Sequence, residues 1–309
     1  MEQISIEFGA SDQIKEGEDF ATSITRSIEI GKKLGITNGF DVQMIPYDGV
    51  SETVLGSYLR SRKSVVPSMD MVTSAVRAAN QLGSPYKVAL NQGISHEGEL
   101  DLFDTRYKED LRVLDMLAEE SARSGITNIV VVCRDEVLRL IRGYFPGIHV
   151  SASAIRYAAP GTPNQHIRKY TEDLKKFDSV VPIPQHTNPA ILGPNQKNAS
   201  KFIVFPFLTC GQTNLEICQK HYRAVDAQGW NPSPFRDDFL CTNGSSLFER
   251  HSDFRELVAM GVDSFKISRA EGTILKEGVS KILGRFQRAK RQIKNPRITH
   301  MMEFLKKTI

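Results

Sequence analysis

Three of the four cysteines of this chain, Cys210, Cys218 and Cys241, lie within residues 202–241. The fourth, Cys133, ends the apolar run NIVVVC. Thiolates that converge from separate loops are ligands for an iron–sulfur cluster or, alternatively, for zinc. The spacing Cys210-x7-Cys218 is longer than the roughly two to four residues typical of paired zinc-finger ligands. The alternative is that these thiols are buried as small hydrophobic residues.

Other polar side chains also follow apolar runs, and they are the remaining candidates for a binding site. Arg134, Lys266 and Arg269 carry the charges that would bind a carboxylate or phosphate, although an ion pair that supports the fold would explain Lys266 and Arg269 equally well. Three further residues at the ends of such runs could orient a substrate: Tyr47, Asn91 and His186. These types and positions predict a site for an anionic small molecule.

The elements that must position these residues alternate regularly between apolar strands and helical patterns. Eight strands are predicted, at residues 4–8, 40–45, 87–91, 129–132, 148–151, 179–183, 202–207 and 263–268. Helical patterns are predicted at residues 18–34, 69–82, 102–124, 136–144, 164–176, 254–260 and 271–293. This alternation is typical of an α/β fold with a parallel sheet, and its count and length favour a (β/α)8 TIM-like barrel. An open doubly wound sheet is the alternative, but no G-x-G-x-x-G follows the first strand.

In such a barrel, functional residues collect where the strands end. The prediction therefore brings Cys133 and Cys210 to the same mouth, although they are far apart in the chain. We expect one domain over residues 1–309, with a basic C-terminal helix whose Lys and Arg side chains are solvated. The net charge of +4 does not indicate a nucleic-acid partner. The chain shows neither a secretory signal nor an apolar run long enough to span a membrane, so a cytoplasmic location is expected.

Two segments resemble a known family. GVDSFKISRAEG (residues 261–272) is similar to a late segment of the U32 peptidase family, the collagenase-like peptidases. NIVVVCRDEVLRLIRGYFPGIHVSASA (residues 128–154) is similar to an earlier segment of the same family. The resemblance extends over roughly residues 40–286.

The resemblance implies a barrel and, in the family's iron–sulfur branch, oxygen-independent hydroxylation with a 4Fe-4S cluster on four cysteines. Cys210, Cys218 and Cys241 would be three of the ligands, and Cys133 is the candidate for the fourth. The expected function is therefore an iron–sulfur enzyme of redox or hydroxylation type that acts on an anionic small molecule. A peptidase-type hydrolase and a non-catalytic, cluster-carrying subunit of a heteromeric complex are the alternatives. The chain has neither H-E-x-x-H nor G-x-S-x-G, so no peptidase mechanism follows from its motifs.

Overall fold

The strands of the chain form one parallel sheet that curves into a nearly closed barrel. The computed structural model describes residues 1–55, 67–90, 104–157, 161–207, 246–267 and 275–293. The strands are β1 (Glu2–Gly9), β2 (Phe40–Asp48), β3 (Lys87–Leu90), β4 (Ile129–Val132), β5 (His149–Ala152), β6 (Ser179–Val180), β7 (Ile203–Val204) and β8 (Ser264–Ile267). Their order is β6-β5-β4-β3-β2-β1-β8-β7, and a parallel bridge between Val180 and Phe202 links the two ends. The predicted (β/α)8 barrel is confirmed.

Helices surround the barrel and follow the strands along the chain. They are α1 (Phe20–Asn38), α2 (Met69–Gln81), α3 (Lys108–Ser124), α4 (Asp135–Tyr144), α5 (Pro163–Lys176), α6 (Pro189–Leu192), α7 (His251–Met260) and α8 (Leu275–Ile293). Helix α1 starts two residues later than expected because Asp19 is its N-cap, accepting a hydrogen bond from the Thr22 backbone N–H at 2.9 Å. It ends at Gly39, whose φ of 79° is a left-handed conformation that glycine adopts without strain.

The two shortest strands are shorter than predicted. The prediction placed strands at residues 179–183 and 202–207, whereas β6 and β7 each contain two residues. Pro182 and Pro206 lie within the predicted ranges. Proline has no backbone N–H to donate to a neighbouring strand, which explains why both ladders stop early.

Successive residues of each strand face opposite sides of the barrel wall. On β1, Ile4, Ile6 and Phe8 belong to one hydrophobic cluster together with the buried face of α1. On β2 the outward residues Val42 and Met44 lie so close to α1 that only glycine fits opposite them. This outward layer is the core of the protein. The alternate residues face the barrel interior, and their chemistry is different.

The described part of the last helix has a buried face and an exposed face. In α8 the buried side chains include Val279, Ile282, Leu283 and Phe286. Lys281, on the exposed side, pairs with Glu277 at 2.7 Å. Of the helices that the structure describes, none combines the length and the apolar character needed to cross a membrane.

Candidate functional site

A buried carboxylate with two ammonium groups lies in the barrel interior. Glu7, on the inward face of β1, is 1% exposed and forms an ion pair with Lys87 of β3, which is fully buried. Lys266 of β8 is the register partner of Glu7, and its Nζ lies 3.6 Å from Glu7 Oε2. Lys87 Nζ also donates to Ser151 Oγ at 3.4 Å. The carboxylate and two ammonium groups together carry one net positive charge.

Tyr47 and Lys266, two residues predicted for the site, are in contact. The Lys266 ammonium lies 3.8 Å from the centre of the Tyr47 ring, within the range of a cation–π interaction. The Tyr47 hydroxyl donates to the carbonyl of Ile267 at 3.5 Å, which links β2 to the end of β8. The Lys266 side chain is 12% exposed, in contrast to the fully buried Lys87. Lys266 is therefore the cation of this group that a ligand can approach.

Cys133 and Arg134 form the turn that follows β4. Cys133 is 7% exposed and comes at the next alternate position after Ile129 and Val131. Its carbonyl oxygen accepts a hydrogen bond from Arg156 Nη1 at 2.8 Å. Arg156 is itself held by two hydrogen bonds to Asp173, at 2.7 and 2.9 Å. The backbone at this candidate thiol ligand is thus anchored to helix α5.

Arg134 has a carboxylate neighbour in helix α4. Its Nε lies 3.3 Å from Glu136 Oε2, and its side chain is 11% exposed. Arg134 directly precedes α4. It therefore lies at the carboxyl end of the barrel, as a residue that binds an anion there must.

His186 belongs to a buried cluster against helix α5. Its Nδ1 shares a hydrogen bond with the Tyr170 hydroxyl at 2.9 Å, and its ring centre is 4.1 Å from that of His166. Burial, and secondarily the neighbouring His166, lower the pKa of His186 from 6.5 to about 3. His186 is therefore neutral at physiological pH. Its predicted role as a substrate contact would require the ring face that His166 leaves uncovered.

Two carboxylates hold the chain segments that follow β1 and β2. Asp48 accepts hydrogen bonds from the backbone N–H groups of Ser11 (2.8 Å) and Gly49 (2.9 Å). Asp110 of α3 accepts from the backbone N–H groups of Val54 (3.1 Å) and Leu55 (2.9 Å). Burial raises the pKa of Asp110 from 3.8 to about 6. Both groups stabilise loops at the carboxyl end of the barrel.

Five predicted site residues lie outside the described residues: Asn91, Cys210, Cys218, Cys241 and Arg269. The proposed thiol cluster accordingly stays a prediction. Within the described ranges, no three or more His, Cys, Asp or Glu side chains form a group that could hold a metal ion.

Sequence reasoning missed Glu7 and Lys87, whereas Ser151 was among the polar residues expected at the strand ends. A signal was available, because ISIEF places Ser5 and Glu7 on one face of β1 and the apolar residues on the other. Lys87 likewise begins the otherwise apolar run KVAL. A charged residue in a buried strand needs a partner, so the sequence signals two buried charges, although it does not show which residue each one pairs with.

No family model and no curated protein matches the chain. Among solved structures, the U32 peptidase Mk0906 is similar at 14% identity, covering 86% of this chain and 92% of that chain with a TM-score of 0.46. A GH113 beta-1,4-mannanase is 10% identical, covering 93% and 99% of the two chains, with a TM-score of 0.48. An uncharacterized protein from Clostridium thermocellum that binds two copies of 5-methyl-5,6,7,8-tetrahydrofolic acid is 12% identical, covering 92% and 93%, with a TM-score of 0.41. Similarities this low assign neither a family nor an activity to the chain.

Proposed function

We propose that the carboxyl end of the barrel binds an anionic small molecule and carries out redox chemistry on it, with oxygen-independent hydroxylation as the reaction type. The observation that carries the anion site is the position of Lys266. Its ammonium is partly exposed, lies over the Tyr47 ring and is 3.6 Å from Glu7 Oε2, while Lys87 binds the other oxygen of that carboxylate. A carboxylate or phosphate at the carboxyl end of the barrel would be attracted to this partly exposed ammonium.

Each residue then has a definite role. Lys266 binds the anionic group, and Glu7 fixes the direction of the Lys266 side chain from below. The Tyr47 ring forms a wall against which the substrate and the Lys266 stem pack. Arg134 supplies a second positive charge from the turn after β4, beside Glu136. Arg269, which follows β8 in the chain, would add a third.

The redox part of the proposal rests on the thiols. Cys133 is buried directly after β4, where the backbone is anchored by Arg156, and this position suits a ligand held at the carboxyl end. Cys210, Cys218 and Cys241 would provide the other ligands of a 4Fe-4S cluster. Such a cluster supplies or accepts single electrons at a potential set by its surroundings, whereas a zinc ion in the same place would not.

Anaerobic purification tests the cluster. With cluster-assembly machinery co-expressed, we expect a brown protein with about four irons and four sulfides per chain, as four thiolates would bind. Cys218→Ser should lower the iron content, and Cys133→Ser tests the fourth ligand separately. A colourless, iron-free protein obtained under these conditions would disprove the cluster. Stoichiometric zinc would identify the alternative metal.

The anion site is tested independently of the metal. Inorganic phosphate and succinate serve as probes, with binding followed by NMR or calorimetry. Lys266→Met should weaken binding by roughly tenfold or more, since a charge-assisted hydrogen bond contributes about 1.5–3 kcal/mol. The control is Lys281→Met on the exposed side of α8, which should leave the affinity unchanged. Equal affinities in both variants would remove Lys266 from the site.

The alternatives give different outcomes. A peptidase would turn over members of a peptide library, and this activity would survive replacement of both Cys210 and Cys218 by serine. A cluster-carrying subunit would bind iron without activity alone and would form a stable heteromeric complex. Either result would replace the redox enzyme as the function of this chain.

A further inference from the structure

A cavity opens at the amino-terminal end of the barrel, opposite the proposed site. Its volume is about 370 Å³, within the range of about 300–1,000 Å³ typical of small-molecule pockets. It is lined by residues near the starts of several strands, including Ser5, Gln43, Ile129, His149, Ser179 and Ser264. The loops that precede β3 and β4 complete its rim with Gly83 and Gly125.

The lining alternates between hydrogen-bonding groups and aliphatic surfaces. Hydroxyl groups come from several strands, and His149 Nε2 shares a hydrogen bond with Ser179 Oγ at 2.9 Å. Ser5 Oγ donates to Gln43 Oε1 at 3.4 Å, and both side chains line the cavity. Ile45, Ile129 and Ile203 supply the apolar part of the wall. Such a surface matches a ligand that has both C–H faces and hydroxyl edges.

A buried acceptor lies at the inner end of the cavity. Glu7 lines it, and Glu7 Oε2 is a fully buried oxygen without a hydrogen-bond donor among the described residues. Lys87 binds the other carboxylate oxygen, and Lys266 approaches Oε2 only to 3.6 Å. The Lys266 ammonium is therefore within ion-pair distance of this oxygen, and the Glu7 carboxylate closes the inner end of the cavity with a negative charge.

The charges around the cavity determine whether an anionic, a cationic or a neutral ligand would bind there. An anionic ligand would meet the Glu7 carboxylate, while a cation would face the ammonium group of Lys87 beside it. At the rim, the Asp178 charge is balanced by Arg142 at 2.9 Å. Burial, together with the charge of Lys87, lowers the pKa of His149 from 6.5 to about 4, so the imidazole is neutral near pH 7. A neutral ligand is therefore favoured, because a buried charge without a partner is costly.

We propose that this amino-terminal cavity is a second ligand site, for a neutral polyol of about the size of a monosaccharide. The hydroxyls of the ligand exchange hydrogen bonds with Gln43 and the serine hydroxyls of the lining. The C–H faces of the ligand pack on Ile45, Ile129 and Ile203. The cavity has room for about twelve water molecules at about 30 Å³ each, which such a ligand would displace. The proposal is independent of the redox chemistry proposed for the opposite end.

Saturation-transfer NMR on the full chain tests the site. The neutral probes are D-glucose, D-ribose, myo-inositol and glycerol, and the charged probes of similar size are D-gluconate and D-glucosamine. We expect at least one neutral probe to bind, at least about tenfold more tightly than either charged probe, because Glu7 and Lys87 each oppose one sign of charge. Absence of binding by every neutral probe, or equal binding of a charged one, would overturn the proposal.

Variants locate the binding. Ser264→Leu places an aliphatic side chain in the cavity and should weaken binding roughly tenfold or more, because hydroxyl partners are lost and volume is filled. Ser280→Leu, on the exposed side of α8, is the matched control and should bind as the parent does. Arg134→Met, at the other mouth, should also bind normally. If Ser264→Leu does not fold, Gln43→Leu takes its place. Unchanged affinity in the folded cavity variant would refute the location.

Discussion

The two faces of the barrel strands differ sharply in chemistry. The outward residues of β1, Ile4, Ile6 and Phe8, pack against helices in a continuous apolar layer. The inward residues of the same strand, Ser5 and Glu7, face hydroxyl, amide and charged side chains. The interior of a TIM barrel is usually filled by branched apolar side chains, so the polar interior is the unusual feature here.

This difference separates stability from function in the molecule. Burial of apolar side chains between strands and helices stabilises the fold, whereas a buried ion pair contributes little net stability because both charges lose their hydration. The group of Glu7, Lys87 and Lys266 is therefore explained poorly by stability alone. Its presence has an explanation if Lys266 binds a ligand at the carboxyl end of the barrel and Glu7 borders a ligand in the amino-terminal cavity.

The largest loss in the free energy of unfolding is expected from breaking the ion pair between Glu7 and Lys87. Lys87→Met keeps most of the side-chain volume but leaves Glu7 with only the more distant Lys266. Removing one partner of a buried pair typically costs about 3–5 kcal/mol, and we expect a loss of this size in the free energy of unfolding. Urea denaturation followed by circular dichroism measures it.

The double variant Glu7→Gln with Lys87→Met distinguishes the charge from the packing. Because it removes both charges, it should recover most of the stability that the single variant loses. If the double variant instead stayed as unstable as Lys87→Met, relative to the parent, the pair would be a true source of stability. The assignment of stability to the outward face of the strands and of function to the inward face would then be wrong.

The same division explains which parts could be predicted from the sequence. The strands were recognisable because their outward residues form apolar runs, as at residues 129–132, where the prediction and β4 coincide. Tyr47 and Lys266 were found because strand ends in a barrel converge, a rule that requires only the fold. The pairing of Glu7 with Lys87, across 80 positions of sequence, could not be read from local alternation. That pairing depends on β3 lying two strands away from β1, across β2, and on the register of the three strands.

A second test compares histidines on the two sides of the barrel wall. His149 faces the interior with its pKa lowered to about 4, and His186 lies in the helix layer with its pKa lowered to about 3. Below pH 6.5 the unfolded chain binds protons that the folded chain does not, so stability falls as the pH decreases from about 6.5 toward 4. Each histidine contributes up to about 3 kcal/mol over this window, at about 1.4 kcal/mol per pKa unit. Urea denaturation at a series of pH values measures the slope.

The variant His149→Gln can keep a hydrogen bond to Ser179 but does not titrate. It should reduce the loss of stability between pH 6.5 and 4 by up to about 3 kcal/mol. His186 and His166 continue to lower the stability over this window, and Asp110, whose pKa is raised, opposes them. His186→Gln, which can still bind the Tyr170 hydroxyl, is the matched variant in the helix layer. An unchanged slope in His149→Gln would mean that the interior accepts a proton on this imidazole without difficulty.

A smaller effect tests how closely the outward face is packed. A Cβ at Gly35 of α1 would lie 2.5 Å from Val42 Cγ2 and 3.0 Å from the carbonyl oxygen of Phe40. Neither neighbour can move easily, because valine is stiff at χ1 and the oxygen belongs to the backbone. Gly35→Ala should therefore lower the free energy of unfolding by about 1–3 kcal/mol, the usual cost of overpacking, as measured by urea denaturation.

The smallest expected change in the free energy of unfolding is a gain, and it serves as the control for Gly35→Ala. Gly284 of α8 is also a glycine inside a helix, but a Cβ there would meet no atom within 4 Å. Gly284→Ala should raise the free energy of unfolding by about 0.5–1 kcal/mol, because alanine loses less conformational entropy than glycine when a helix forms. Since both substitutions gain the same helix propensity, the difference between them isolates the contact with β2. If Gly35→Ala were stabilising to the same extent, helix α1 would have room to move away from the barrel, and the outward face would be packed more loosely than its contacts indicate.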